Sequence, residues 1–381
     1  MKRFALQIIL ASILTAVSFS QPQVLYSENI ADGVNYYKVL QKINNNDIKA
    51  HSVFIDLRNT SIEVKAALAK DTVGKLQSVP AIAQANDALA AINGTFFDRK
   101  KPRLPIGLLV IDGDMMTKSL LNRTAIGISG SHVQFGMPKF VGKITNKETG
   151  EKFDIWGINR PRKNDEIIIY TPEYGNSTRT NDNGVEIIVE DNIVIGISSG
   201  NSPIPENGYV ISFHGWTKDF TNSIPPGSYI EAEYDLSEGW ADFDQVFTGG
   251  PRLIDNKLIV AEKFMQKECF DSDMTRRNAR TAIGVTENGL LLMVVVDGGI
   301  RSKKVPYYSK GKKKRYRRVK YRTGITYSEL TWLMKEMGAV DAMGLDGGGS
   351  STMYVNGRVV NTPSDGYVQA VSNAIIVKVK D

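Results

Sequence analysis

A single cysteine, Cys269, stands among 381 residues. No internal disulfide can form, so stability must come from a core, which a chain of this length can build. Histidine is nearly as scarce: the three are His51, His132 and His214, and none has metal-ligand spacing. A catalytic thiol wants a histidine partner. Cys269 lies in the loop-like run Lys267-Glu268-Cys269-Phe270-Asp271 and is read as incidental. Beyond the N-terminus no stretch is long and apolar enough to cross a bilayer, so no stable membrane span is expected. Acids are missing altogether from residues 301–322, which hold twelve Lys or Arg. That segment explains the formal net charge of +6: without those twelve, Lys2 and Arg3, the remainder carries −8. The basicity is one patch on an acidic body, which argues against a nucleic-acid partner for the chain as a whole.

What is present begins with a targeting pattern. Lys2 and Arg3 precede a mostly apolar run over 4–17, and Ser18-Phe19-Ser20 offers a small-x-small cleavage site. The run is shorter than the roughly 20 residues of a membrane helix. It predicts a signal peptide over 1–20, cleaved near Ser20, and a mature chain 21–381 that is secreted, periplasmic or extracellular. An uncleaved N-terminal anchor is the alternative.

Strand signals dominate the mature chain. Segments 52–57 and 62–69 read as strands around Asn59-Thr60-Ser61. Ser78-Val79-Pro80 starts a helix, with serine as cap and proline in the first turn. Asn93-Gly94 interrupts an apolar run, and Asp112-Gly113 signals a hairpin. Arg123-Thr124-Ala125-Ile126-Gly127-Ile128 recurs as Arg280-Thr281-Ala282-Ile283-Gly284-Val285, each preceded by an apolar strand-turn-strand. This echo predicts a duplicated β-unit or two equivalently placed strands. Segment 139–236, rich in strands and in Asn, Gly and Pro, separates the two copies and reads as an inserted β subdomain.

The C-terminal third is strand, acid, helix, strand, acid. The apolar run Leu290–Val296 ends at Asp297-Gly298-Gly299. The basic segment 301–322 follows, read as a solvated loop. Thr326-Tyr327-Ser328-Glu329 matches a capping box, and Gly338 suits the residue after a helix end. A second strand then leads into Asp346-Gly347-Gly348-Gly349-Ser350-Ser351-Thr352. If the two strands are parallel neighbours, Asp297 and Asp346 share a carboxyl edge, where α/β sheets bind ligands. An Asp-Gly turn is the plainer alternative for each acid. The expected class is α+β, a strand-rich mixed sheet with a few helices packed on it.

These pieces resemble the phosphodiester glycosidase family. The resemblance rests on Asn93-Gly94-Thr95-Phe96-Phe97, Thr248-Gly249-Gly250-Pro251-Arg252-Leu253, the second echo copy, Asp297-Gly298, residues 324–330, residues 345–352 and Val371-Ser372-Asn373-Ala374, in the family's order. Two features depart from the family pattern. Gly299 stands where an arginine often follows Asp-Gly, and the basic segment lengthens the link to the helix. The resemblance implies hydrolysis of a sugar-1-phosphodiester that frees the sugar and leaves a phosphomonoester. The expected substrate is a sugar phosphodiester or an anionic phosphoglycan of an envelope or extracellular glycan.

Such a reaction needs a cation and N–H donors for phosphate, and carboxylates for the sugar and water. Arg280 is the expected phosphate clamp, because a guanidinium can hold two phosphate oxygens. Asp346 and Asp297 are the leading carboxylates. Glu329 is a third, although a capping-box glutamate needs no catalytic role. Gly347, Gly348, Gly349, Ser350, Ser351 and Thr352 are expected to donate to the substrate, with Asn93, Gly94 and Thr95 as the opposite wall. No metal ligands and no cofactor are assigned, although the acids suit a hard divalent cation such as Ca or Mg. The basic segment, with its interleaved tyrosines, is expected to attract a polyanionic substrate. A non-catalytic extracellular glycan- or envelope-binding protein is the alternative function. Metal-dependent cleavage that leaves the sugar phosphorylated is a third.

Overall fold

The computed structural model describes residues 22–43, 46–100, 102–118, 121–270, 276–308 and 314–380. The expected signal peptide, 1–20, lies outside them. The chain is 51% strand and 12% helix, so it is largely β, and the expected α+β class is corrected. The helices Val79–Ala85, Ala261–Lys267 and Tyr327–Glu336 are too short to form a layer. They pack singly on sheet faces instead: Leu330, Leu333 and Met334 share a core cluster with Ala282, Leu292 and Val294, and Val79 and Ile82 share one with Ala91 and Ile376. Nor is the sheet core mixed: the register pairs are antiparallel, apart from Gly157–Ile158 beside Ile167–Tyr170.

The largest sheet has eight strands. Its centre runs Asn46–Asp56, Leu290–Val296, Arg280–Thr286, Ala339–Gly344, Arg252–Asp255. The expected neighbours, Leu290–Val296 and Ala339–Gly344, are therefore separated by Arg280–Thr286. The short link through Gly289 (φ 78°) folds Leu290–Val296 back antiparallel onto the strand before it. The helix then carries the chain to the far side of that strand. The two strands run in the same direction, one position apart.

The sequence echo is a structural one. The hairpin of Leu109–Ile111 and Asp114–Thr117 pairs with Gln245–Thr248, which pairs with Ala125–Ser129, which pairs with His132–Gly136. The hairpin of Arg252–Asp255 and Leu258–Ile259 pairs in the same order with Ala339–Gly344, Arg280–Thr286 and Leu290–Val296. The two units occupy different sheets.

Segment 139–236 forms further sheets: Phe140–Asn146 between Lys152–Asp154 and Ile230–Leu236, and a five-stranded one around Gly208–His214. Their apolar faces, among them Ile144, Ile169, Ile211 and Phe213, share one core cluster. A third element of the site is the sheet Met353–Val355, Ala90–Asn93, Asn373–Val379, Ile62–Leu68. It holds Asn93 and Asn373 next to the glycine-rich turn. The basic segment is not an irregular loop: Gly299–Tyr308 and Lys314–Thr323 make an antiparallel ribbon. Among the described residues, no helix is long and apolar enough to cross a membrane.

Candidate active site

Register decides which acids share an edge. Arg280 pairs with Val296 and Ala282 with Gly344, so Arg280, Asp297 and Asp346 all sit at one end of the sheet, with Arg280 between the acids. The glycine-rich turn then bends away from that edge.

The turn is held by side chains from the neighbouring sheet. Asn93 is fully buried, and its Nδ2 donates to the Asp346 carbonyl at 2.6 Å. Its Oδ1 accepts from Thr281 Oγ1 at 2.8 Å and from the Thr352 amide at 3.2 Å. Asn373 Oδ1 accepts from the Thr95 amide at 3.0 Å, and its Nδ2 donates to Thr95 Oγ1 at 2.7 Å. A Cβ on Gly94 would meet Asn373 Oδ1 at 1.9 Å, which is why this position carries no side chain. Asn93, Gly94 and Thr95 thus brace the turn from behind.

Gly348 has a φ of 63°, and its amide donates to the Ala279 carbonyl at 2.8 Å. The Gly347 amide donates to Asp346 Oδ1 at 2.9 Å. Two of the expected phosphate donors therefore already serve the turn. Ser350, Ser351 and Thr352 are fully buried, with Ser351 Oγ 3.2 Å from Thr281 Oγ1. Of this run, only Asp346 and Gly347 to Gly349 line the adjoining pocket.

That pocket has a volume of about 350 Å³. Phe96, Arg99, Asn278, Arg280, Arg322, Asp346, Asp365 and Gln369 are among the residues that line it. Asp346 is half-buried and protein surrounds most of it. Lost hydration pushes its carboxyl up to about 6, against the opposing pull of Ser350, Arg99, the Gly347 amide and Arg280. Arg280 is 4% exposed, and its guanidinium stacks 4.2 Å from the centroid of the Tyr327 ring. One of its terminal nitrogens donates to the Arg276 carbonyl at 2.8 Å. Burial lowers the guanidinium from its ordinary value, with Tyr327 and Asp346 pulling it back. It stays a cation, since arginine starts so high. Burial likewise raises Tyr327, against the pull of Arg280.

The other two proposed carboxylates point elsewhere. Asp297 accepts from the Thr362 amide at 2.8 Å and lies 3.8 Å from His51 Nε2. Burial pushes it up, but His51 and Thr362 together outweigh burial and hold it below the usual carboxylate range. Glu329 closes its capping box, accepting from the Thr326 amide at 2.9 Å, and its other oxygen pairs with Arg277. Neither lines the pocket. Among the described residues, no group of three or more His, Cys, Asp or Glu gathers around one possible metal position.

Arg99, Arg322, Asn278 and Asp365 were not singled out from the sequence. Only Arg322 left a trace, as the last cation of the basic segment. Arg123 occupies the place of Arg280 in the first echo unit, yet its guanidinium lies over Phe96 and Phe270, at 5.2 and 4.4 Å from their centroids. The strand beside it ends in Gly249-Gly250, where the second unit has an acid.

A family model described as phosphodiester glycosidase matches residues 183–378, which include Arg280, Asp297, Glu329 and Asp346. N-acetylglucosamine-1-phosphodiester alpha-N-acetylglucosaminidase of Bos taurus is 28% identical over 131 residues, 32% of this chain and 21% of that protein. A SPbeta prophage-derived protein of Bacillus subtilis is 31% identical over 111 residues, 29% of this chain and 14% of that protein. The chain thus matches only a minor part of the length of these relatives. Among solved structures, a Synechocystis protein superposes with a TM-score of 0.78 at 24% identity, covering 93% of this chain and 63% of that one. A Burkholderia pseudomallei protein gives 0.73 at 17%, covering 95% and 97%. Both likenesses concern the fold.

Proposed function

The chain belongs to the phosphodiester glycosidase family, and we propose that it hydrolyses the bond between a sugar's anomeric carbon and a phosphodiester. The observation that carries this reading is Asp346, a carboxyl raised to about 6, facing Arg280, Arg99 and Arg322 in one pocket. A phosphodiester brings one negative charge, which a guanidinium cluster accommodates by paired hydrogen bonds. The raised carboxyl suits proton transfer near neutral pH.

In this reading Arg280 holds the phosphate, with its orientation set by Tyr327. Arg99 and Arg322, which line the same pocket, add positive charge around it. As the anomeric C–O bond breaks, its electron pair leaves with the phosphate, which becomes a monoester. The same arginines balance the growing charge. Water adds to the anomeric carbon and passes its proton to the Asp346 carboxylate, which also faces the positive charge on the sugar ring. Asn93, Asn373 and Thr95 position the turn, and Glu329 and Asp297 support the surrounding fold.

The basic-then-apolar N-terminus supports placing this activity outside the cytoplasm, on an envelope or extracellular glycan. A panel of sugar-1-phosphodiesters tests the chemistry. Wild type should release free sugar, and Asp346→Asn and Arg280→Ala, still folded, should not. Binding without turnover on any substrate would favour a glycan-binding role. Release of sugar 1-phosphate, stopped by a chelator, would favour metal-dependent phosphoryl cleavage.

A further inference from the structure

Among the described residues, the ribbon of Gly299–Tyr308 and Lys314–Thr323 pairs with no other strand. A lone hairpin is marginal in water unless anchored. This one is fixed at its base by the Asn278–Ile325 bridge and by Arg301, whose guanidinium donates to the Ser364 carbonyl at 3.3 Å. Its two faces differ. Cross-strand partners share a face, and faces alternate along each strand. One face carries Arg301 with Tyr321, Lys303 with Val319, Val305 with Arg317 and Tyr307 with Arg315. Its base, at Gly299 and the Ser364 that Arg301 holds, touches the pocket, but its cations lie farther out. The other face begins with Ile300 and Arg322, which both line the pocket. From Arg322 it continues outward through Lys320, then Lys304 with Arg318, then Lys314, all exposed.

We propose that this second face is a track for a polymer carrying one phosphodiester per sugar repeat, and that it leads the polymer into the pocket. The proposal rests on the phosphodiester reading of that pocket. Arg322, Lys320 and Arg318 lie about 7 Å apart, Lys314 stands about twice that distance beyond Arg318, past Tyr316, and the row extends about 27 Å from Arg322, at the rise of an extended strand. A single sugar phosphodiester fills the pocket and reaches none of the outer cations, so the row is superfluous for a small substrate. Nucleic acid fits less well. Sequence-tolerant binding of single strands needs an aromatic platform for successive bases. The aromatic positions of this face, Tyr316 and Tyr308, lie together at its outer end, and none stands between Arg322 and Arg318.

Two triple variants with equal charge loss test the track. Lys304→Ser/Arg318→Ser/Lys320→Ser strips the face that meets the pocket. Lys303→Ser/Arg315→Ser/Arg317→Ser strips the opposite face. On a long poly(glycosyl 1-phosphate), the first triple should raise KM roughly tenfold and flatten its salt dependence, and the second should change KM less than twofold. Neither should alter turnover of a small sugar-1-phosphodiester. Equal losses from both faces would reduce the cations to general attraction, or to guards of the ribbon's open edges, and would overturn the track. No loss from either, or tighter binding of an oligonucleotide of equal charge, would overturn it as well. If wild type cleaves no sugar-1-phosphodiester, the pocket reading fails. Equilibrium binding of the polymer to the two triples would still decide the face.

Discussion

The Arg280 guanidinium and the Tyr327 ring are stacked at 4.2 Å, joining the first residue of a central strand to the first residue of the helix Tyr327–Glu336. A buried cation over an aromatic face gains about 2 kcal/mol. The stack also fixes the plane of the guanidinium, and with it the direction of its remaining N–H groups. Lysine at this position keeps the charge but loses the fork. Arg280→Lys should lower kcat/KM on a sugar-1-phosphodiester by roughly a hundredfold. Tyr327→Phe, which keeps the ring, should cost far less than Tyr327→Leu. Equal losses in the two Tyr327 variants would place the effect in the hydroxyl.

The pH profile follows from the role given to Asp346. If its carboxylate takes the proton of water, kcat/KM should rise with pH through about 6 and level off above. Activity falling above that value would instead make Asp346 the acid. Initial rates from pH 4.5 to 8 on one substrate decide.

The same shift predicts a stability cost. The Asp346 carboxyl is higher in the folded chain, about 6, than its ordinary value near 3.9. The folded state therefore binds the proton more tightly. Its stabilising effect is complete below the ordinary value and is lost as pH rises through about 6. Above that, the ionised group costs about 2–3 kcal/mol. Asp346→Asn should thus raise Tm relative to wild type at pH 7.5, with the gain gone at pH 4. An equal difference at both pH values would show that ionisation is not its source.

Glu329 should behave as a structural acid. Glu329→Gln retains an acceptor for the Thr326 amide but loses the charge that pairs with Arg277. A loss of about 1–2 kcal/mol in stability is expected, since the pair is nearly buried. At a temperature where the variant is folded, kcat should stay within a few-fold of wild type. A collapse of kcat with an unchanged Tm would return Glu329 to the chemistry.

Gly94→Ala should unfold the brace behind the turn. The added carbon would lie 1.9 Å from Asn373 Oδ1. Either Asn373 gives up Thr95 or the strand moves. A loss of more than about 2 kcal/mol is expected, read by denaturant melts. Wild-type stability would mean that Asn373 can swing aside freely.

Much of the local architecture was legible in the residues. The turns at Asp112-Gly113 and Asn356-Gly357 both have positive φ at each central residue, as their sequences require. Ser78 and Thr326 cap their helices. The echo around Arg123 and Arg280 marks two equivalent sheet units. The class was misjudged because a strand-helix-strand order suggests parallel neighbours. Nothing in the order reveals that Arg280–Thr286 lies between them.

Spacing along the chain names Asp346, because glycines let the backbone bend away just past a buried strand. It names Arg280, because the echo repeats it. Asp297 and Glu329 look equal to Asp346 in sequence, and only the folded chain separates them. Each has partners of its own, His51 and Thr362 for one, Thr326 and Arg277 for the other. Of the three only Asp346 lines the pocket beside the turn, with too little water and too few donors to keep its carboxyl at the ordinary value. Arg99 and Arg322 approach it from segments more than 200 residues apart, a meeting set by sheet register rather than by any local pattern.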